Sequence, residues 1–242
     1  MLKKIIKLIG IFLFFLLSPI YLLAQTDENK YYEYIEYIRN DNLQKIEELI
    51  ANGMNVNQRF KYDDTLLMYA AGEGNERIVK FLLFKKANIN DINVDGRNVL
   101  MIAIMMGQED IVNLLIKNGA DLRIEDKNNK TALLWAVTKN YPAIVKSLVA
   151  AGADINQQNR DGRTALMEAA CLGYAEIIEF LISKKVDLNL RDNNNATALT
   201  LAIEFDQTRA AEILRKAGAA YSTPKVSRKE IIEKIFPKSL RR

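Results

Sequence analysis

The sequence predicts an all-α solenoid of stacked helix-turn-helix units joined by short hairpin loops, and three observations carry that prediction. First, Thr65-Leu-Leu-Met-Tyr-Ala70, Asn98-Val-Leu-Met-Ile-Ala103, Thr131-Ala-Leu-Leu-Trp-Ala136, Thr164-Ala-Leu-Met-Glu-Ala169 and Thr197-Ala-Leu-Thr-Leu-Ala202 recur every 33 residues without insertion or deletion. A period of this length marks supersecondary units that bury their apolar faces only by stacking. Second, each copy precedes a segment whose apolar residues recur at helical spacing, such as Ile78, Val79, Leu82 and Leu83, or Ile144, Val145, Leu148 and Val149. Third, turn-forming stretches separate the units: Asn93-Val-Asp-Gly96, Asp126-Lys-Asn-Asn129, Asn159-Arg-Asp-Gly162 and Asp192-Asn-Asn-Asn195.

Along the chain, residues 1–24 read as an export signal. Lys3, Lys4 and Lys7 precede the run Ile11-Phe-Leu-Phe-Phe-Leu-Leu17, and Leu22-Leu-Ala24-Gln25 offers a cleavage point after Ala24. The same stretch from Leu8 to Ala24 approaches the length of a bilayer span, so the alternative is an uncleaved anchor that makes the array a membrane-tethered structural spacer or scaffold. Repeats follow over 31–221: an incomplete first unit at about 31–60, then 61–93, 94–126, 127–159, 160–192 and 193–221. In each, a Thr hydroxyl caps a first helix that ends near Gly74, Gly107, Asn140, Gly173 or Asp206. A second helix stops at Gly119, Gly152 or Gly218, where Gly supplies a left-handed residue. Lys86 and Lys185 hold that position in two units, at a cost of about 1 kcal/mol relative to Gly. Residues 222–242 form a basic tail in which the capping box Ser227-Arg-Lys-Glu230 precedes Ile231, Ile232, Ile235 and Phe236. An amphipathic helix there would cover the open end of the last unit, or touch anionic lipid or a partner.

Hairpin, T-x-L-x-x-A helix, second helix with V-x-x-L, and G-A-D-[LI]-N closure together resemble the ankyrin repeat, over Tyr31 to about Tyr221. The resemblance implies a non-enzymatic module that binds another protein on a concave face lined by hairpin tips and first helices. It departs from the family pattern in two ways. The usual Pro after the Thr is Leu66, Val99, Ala132, Ala165 or Ala198. The usual His is Met68, Met101, Leu134, Met167 or Thr200, and the chain has no His at all. Linkage between repeats is therefore expected from apolar packing.

Composition excludes several chemistries. Without His, the common acid-base, serine-nucleophile and zinc arrangements lose their usual member, and no phosphate-binding glycine loop occurs. No cofactor is expected. Cys171, the sole cysteine, forms no internal disulfide and reads as a small, partly buried thiol in an Ala-rich helix, with a reactive thiol as the alternative. The matches to the glycosylation sequon at Asn129 and Asn195 follow from the hairpin-then-Thr grammar. Of the net charge of +4, the leader contributes +3 and the tail +5, leaving the array at −4. A mildly acidic array lacks the clustered Lys and Arg of a nucleic-acid footprint, so no nucleic-acid partner is expected. Export places the folded part in a bacterial periplasm or outside the cell, with inner-membrane attachment if the leader is retained. The abundance of Lys, Asn and Ile points to an AT-rich bacterial genome.

Carrying the family's contact positions onto this chain gives a basic rim of Arg97, Lys127, Lys130, Arg160 and Arg163 beside a floor of Met105, Met106, Trp135, Lys139, Leu172 and Phe205. The partner expected from this surface is an acidic protein bound by a monomer. Trp135 shares its register with Tyr69, Ile102, Glu168 and Leu201, and Lys139 lies one turn further along the same helix. The aromatics in that register read either as contact residues or as packing between adjacent helices.

Overall fold

The computed structural model describes residues 31–227. The expected export signal and the amphipathic helix expected in the tail lie outside the described residues. Helix α1 covers 31–39 and α2 Leu43–Ala51; the pairs that follow are α3 Leu66–Glu73 with α4 Glu76–Phe84, α5 Val99–Met105 with α6 Glu109–Lys117, α7 Ala132–Thr138 with α8 Pro142–Ala150, α9 Ala165–Leu172 with α10 Ala175–Ser183, and α11 Ala198–Glu204 with α12 Thr208–Lys216. First helices stack on first helices and second helices on second helices, giving a two-layered all-α solenoid.

Local chemistry sets the start of every first helix. Thr65, Thr131, Thr164 and Thr197 each accept a hydrogen bond from the backbone N–H three residues on, and Asn98 does the same for Met101 at 3.0 Å. These caps are buried, so each satisfies a donor that water does not reach. The first helices end in left-handed residues at Gly74, Gly107, Asn140, Gly173 and Asp206. Lys86 and Lys185 close their second helices with φ of 66° and 60°, keeping the backbone shape that Gly takes elsewhere. The layers enclose one continuous apolar core in which Leu100, Ile104, Val112, Leu148 and Ile178 are inaccessible to solvent.

The expectation that apolar packing alone links the units requires correction. Asn57 Oδ1 accepts from the Asn88 N–H, Asn90 from Asp121, Asn156 from Asp187 and Asn189 from Ala220, at 2.8–2.9 Å. Each bond runs from one unit's closing loop to the next. Asn75 Nδ2 donates to the Ile38 carbonyl and Gln108 Nε2 to the Gly72 carbonyl, joining units near the turns between their helices. Side-chain amides thus supply a polar linkage between units beside the apolar packing, because an amide offers both donor and acceptor.

One rung of the closing-loop ladder is absent. Arg123 occupies the Asn register and turns onto Asp121, which it meets through two nitrogens at 3.0 Å. A guanidinium has no acceptor to offer the Asp154 N–H. Arg123→Asn is expected to raise stability by about 1 kcal/mol, read as a higher urea midpoint. An unchanged midpoint would mean that water serves that N–H equally well.

Candidate partner-binding face

The hairpins are built on four buried side chains. Oδ1 of Asn93 accepts from the N–H groups of Asp95 and Arg97, Oδ1 of Asp126 from Asn128 and Lys130, Oδ1 of Asn159 from Asp161 and Arg163, and Oδ1 of Asp192 from Asn194 and Ala196. One oxygen thereby fixes both arms of each tip. Neighbouring tips are joined by backbone bonds, from Val94 N to Tyr62 O, Lys127 N to Asp95 O, Arg160 N to Asn128 O and Asn193 N to Asp161 O. Gly162 takes φ of +75°, and a Cβ there would lie 2.9 Å from the Asn193 backbone nitrogen, so the spacing of the tips itself requires glycine.

At the centre of the hairpin face, the structure brings Arg97, Lys130 and Trp135 together. The Arg97 guanidinium carbon lies 5.3 Å from the centroid of the Trp135 ring and Lys130 Nζ lies 5.0 Å from it. The indole Nε1–H donates to Asp126 Oδ2 at 3.1 Å. Asp126 therefore anchors the hairpin with one oxygen and the ring with the other. Arg97 also pairs with Asp95 at 2.8 Å, while its buried Nε has no hydrogen-bond partner. Arg163 is half-buried one unit further on, 3.9 Å from Glu168 and 3.8 Å from Asp192.

The remaining predicted residues are placed differently. Lys127 and Arg160 are exposed at hairpin tips, and Lys139 is exposed at the end of α7. Met106 is 61% exposed and Leu172 39% exposed, each at the end of a first helix, whereas Met105 and Phe205 are half-buried. The accessible basic charge thus sits on Lys127, Arg160 and Lys139, and the register Arg97, Lys130 and Arg163 lies flat against the helices. Cys171 is buried at 7% exposure.

Sequence reasoning missed an aromatic cluster at the N-terminal end of the same face. Tyr31 meets Tyr32 and Tyr69 edge-on, with centroids 5.1 and 5.7 Å apart, and packs against Phe60 at 5.8 Å. The Tyr31 and Tyr69 hydroxyls are 2.6 Å apart, and Tyr69 donates to Asp64 Oδ2 at 3.1 Å. Asn93 Nδ2 donates to the other oxygen of Asp64. Burial first, then the Tyr31 hydrogen bond and the Asp64 charge, hold the Tyr69 phenol well above its ordinary acidity range. The sequence signals were Tyr69, in the register of Trp135, and the density of tyrosine between Tyr31 and Tyr37.

Among the described residues, no group of three or more His, Cys, Asp or Glu side chains is arranged to hold a metal. Nor is any helix among them long and apolar enough to cross a membrane.

Comparison with known proteins agrees with this geometry. A family model described as ankyrin repeats (3 copies) matches residues 22–93, 87–159 and 133–225. No curated protein matches. A solved chain from the Bd0816 predatory endopeptidase from Bdellovibrio bacteriovorus in complex with immunity protein Bd3460 is 33% identical, with a TM-score of 0.69, over 76% of this chain and 96% of that one. The helix pairs, the hairpins linking them and the family match together establish that this chain belongs to the ankyrin repeat family.

Proposed function

We propose that this protein is an exported, non-enzymatic binding protein of the immunity type, which occupies a peptidase through its hairpin face. The likeness to a chain of an endopeptidase–immunity protein complex, extending over nearly all of that chain, carries this reading. Support also comes from the face itself. Its hairpins are fixed by buried anchors, its centre presents a half-buried Trp between two cations, and its rim carries exposed Lys127, Arg160 and Lys139. Rim charges mainly set the rate of encounter, while a desolvated aromatic sets the lifetime of the complex.

The test is capture from the native cell envelope with the full chain, followed by assay of what is captured. A peptidase whose activity disappears on addition of one equivalent of this protein is the expected result. Capture of non-peptidases alone, or of a peptidase that stays fully active, would overturn the reading. With the partner in hand, Lys127→Glu, Lys139→Glu, Arg160→Glu is expected to slow association about tenfold at low salt, an effect that fades as salt rises. Those side chains are exposed, so the variant's fold is expected to be unchanged. An association rate that does not move would remove the rim from the binding surface.

A further inference from the structure

We propose that the aromatic cleft at the N-terminal end of the hairpin face is a receptor for a cationic side chain, arginine above all. The cleft has a volume of about 600 Å³ and lies between α1 and α3. Tyr31, Tyr32 and Tyr69 supply its rings, and Glu36 and Glu73 its carboxylates. Its own cation, Arg39, is already spent on Glu73 through a 3.1 Å ion pair. Glu36 has no cation within ion-pair reach among the described residues.

The negative field extends past the wall of the cleft. Asp64, behind Tyr69, is held by a phenol and an amide, and no cation among the described residues neutralises it. Both of its oxygens accept from neutral donors. A cation over the faces of tyrosine rings is attracted by their quadrupole, and nearby carboxylates add to that attraction. Guanidinium fits such a site better than ammonium, because its plane stacks on a ring while its edge forks onto a carboxylate.

This deepens the partner-binding reading by giving the face a direction. The N-terminal end carries aromatic rings and negative charge, whereas the centre carries Arg97 and Lys130 around Trp135. A partner fits in one orientation, with its cation toward α1 and its acidic groups toward the middle units.

The probe is the capped tripeptide acetyl-Gly-Arg-Gly-amide, titrated into the full chain while the ring resonances of Tyr31, Tyr32 and Tyr69 are followed by NMR. Saturable shifts confined to these rings are expected with the Arg peptide, with none from the matching Glu peptide. The double variant Glu36→Gln, Glu73→Gln is expected to weaken the Arg peptide at least about tenfold, and Tyr32→Ala, at an exposed ring, to weaken it with the fold intact. Equal, non-saturating shifts from both peptides, or affinity unchanged in the double variant, would overturn the assignment. No partner enters the titration, so failure here leaves the immunity reading standing, and failure to capture a peptidase leaves this site standing.

Discussion

Replacing Asp126 by Ala is expected to lower the unfolding free energy by about 4 kcal/mol. Asp126 is 5% exposed and serves three donors: two backbone N–H groups of its own hairpin and the indole N–H of Trp135. Ala leaves all three without their acceptor, and a donor abandoned in a buried place costs about 1–3 kcal/mol. The damage also spreads sideways. The Lys127 N–H of the same hairpin bonds to Asp95 O in the preceding one, so a slackened tip loosens two units. Asp126→Asn is the informative control. It keeps one carbonyl oxygen for the backbone pair and turns an NH2 group toward the indole, so its cost should be roughly half as large. Urea unfolding of both variants decides the matter; an Ala variant within about 1 kcal/mol of the parent would show that the hairpin does not depend on this carboxylate.

The second large effect is expected at Trp135. In the complex, Trp135→Ala should accelerate partner dissociation by about 30-fold, the kinetic equivalent of a hot spot of about 2 kcal/mol. Part of the ring's surface is already buried against Arg97 and Lys130, so stability of the free protein must be measured alongside. Trp135→Phe separates the two roles. Phe keeps an aromatic face for both cations and loses only the bond to Asp126. If the folded fraction of the Ala variant binds with the parent's dissociation rate, Trp135 is a packing residue and the anchor must be sought among Met106, Leu172 and the tyrosine cluster.

How much of this was legible beforehand depends on the range over which each signal acts. The helix starts at Thr65, Thr131, Thr164 and Thr197 and the stops at Gly74 or Gly173 follow from bonds and dihedrals within a few residues, which a sequence displays directly. The stack around Trp135 was harder. Reading along one helix drew attention to Lys139, whereas the ring lies against Lys130 in its own hairpin and Arg97 in the preceding one. Arg97 and Lys130 share a column of the repeat; comparing columns across units, rather than turns along a helix, would have placed them together. The amide links between units went unseen for a related reason. Asn57, Asn90, Asn156 and Asn189 stand in the closure motif, but their partners lie 31 residues on, in the next unit, beyond the reach of any pattern within one repeat. The tyrosine cleft joins α1 to α3, and of its rings only Tyr69 falls in the 33-residue register.

At the far end of the stack, residues 222–226 lie along the last hairpin. Ser222 exchanges backbone hydrogen bonds with the Thr200 hydroxyl, and Asn194 bonds both ways with Val226. Thr200 stands where Met68, Met101, Leu134 and Met167 stand in the other units, none of which offers a hydroxyl. One exchanged side chain thus turns a packing position into a clasp for the segment that follows. Giving position 200 the Met of an internal unit would remove both bonds to the Ser222 backbone, while the Asn194 pair with Val226 would still hold the far end of residues 222–226 against the hairpin.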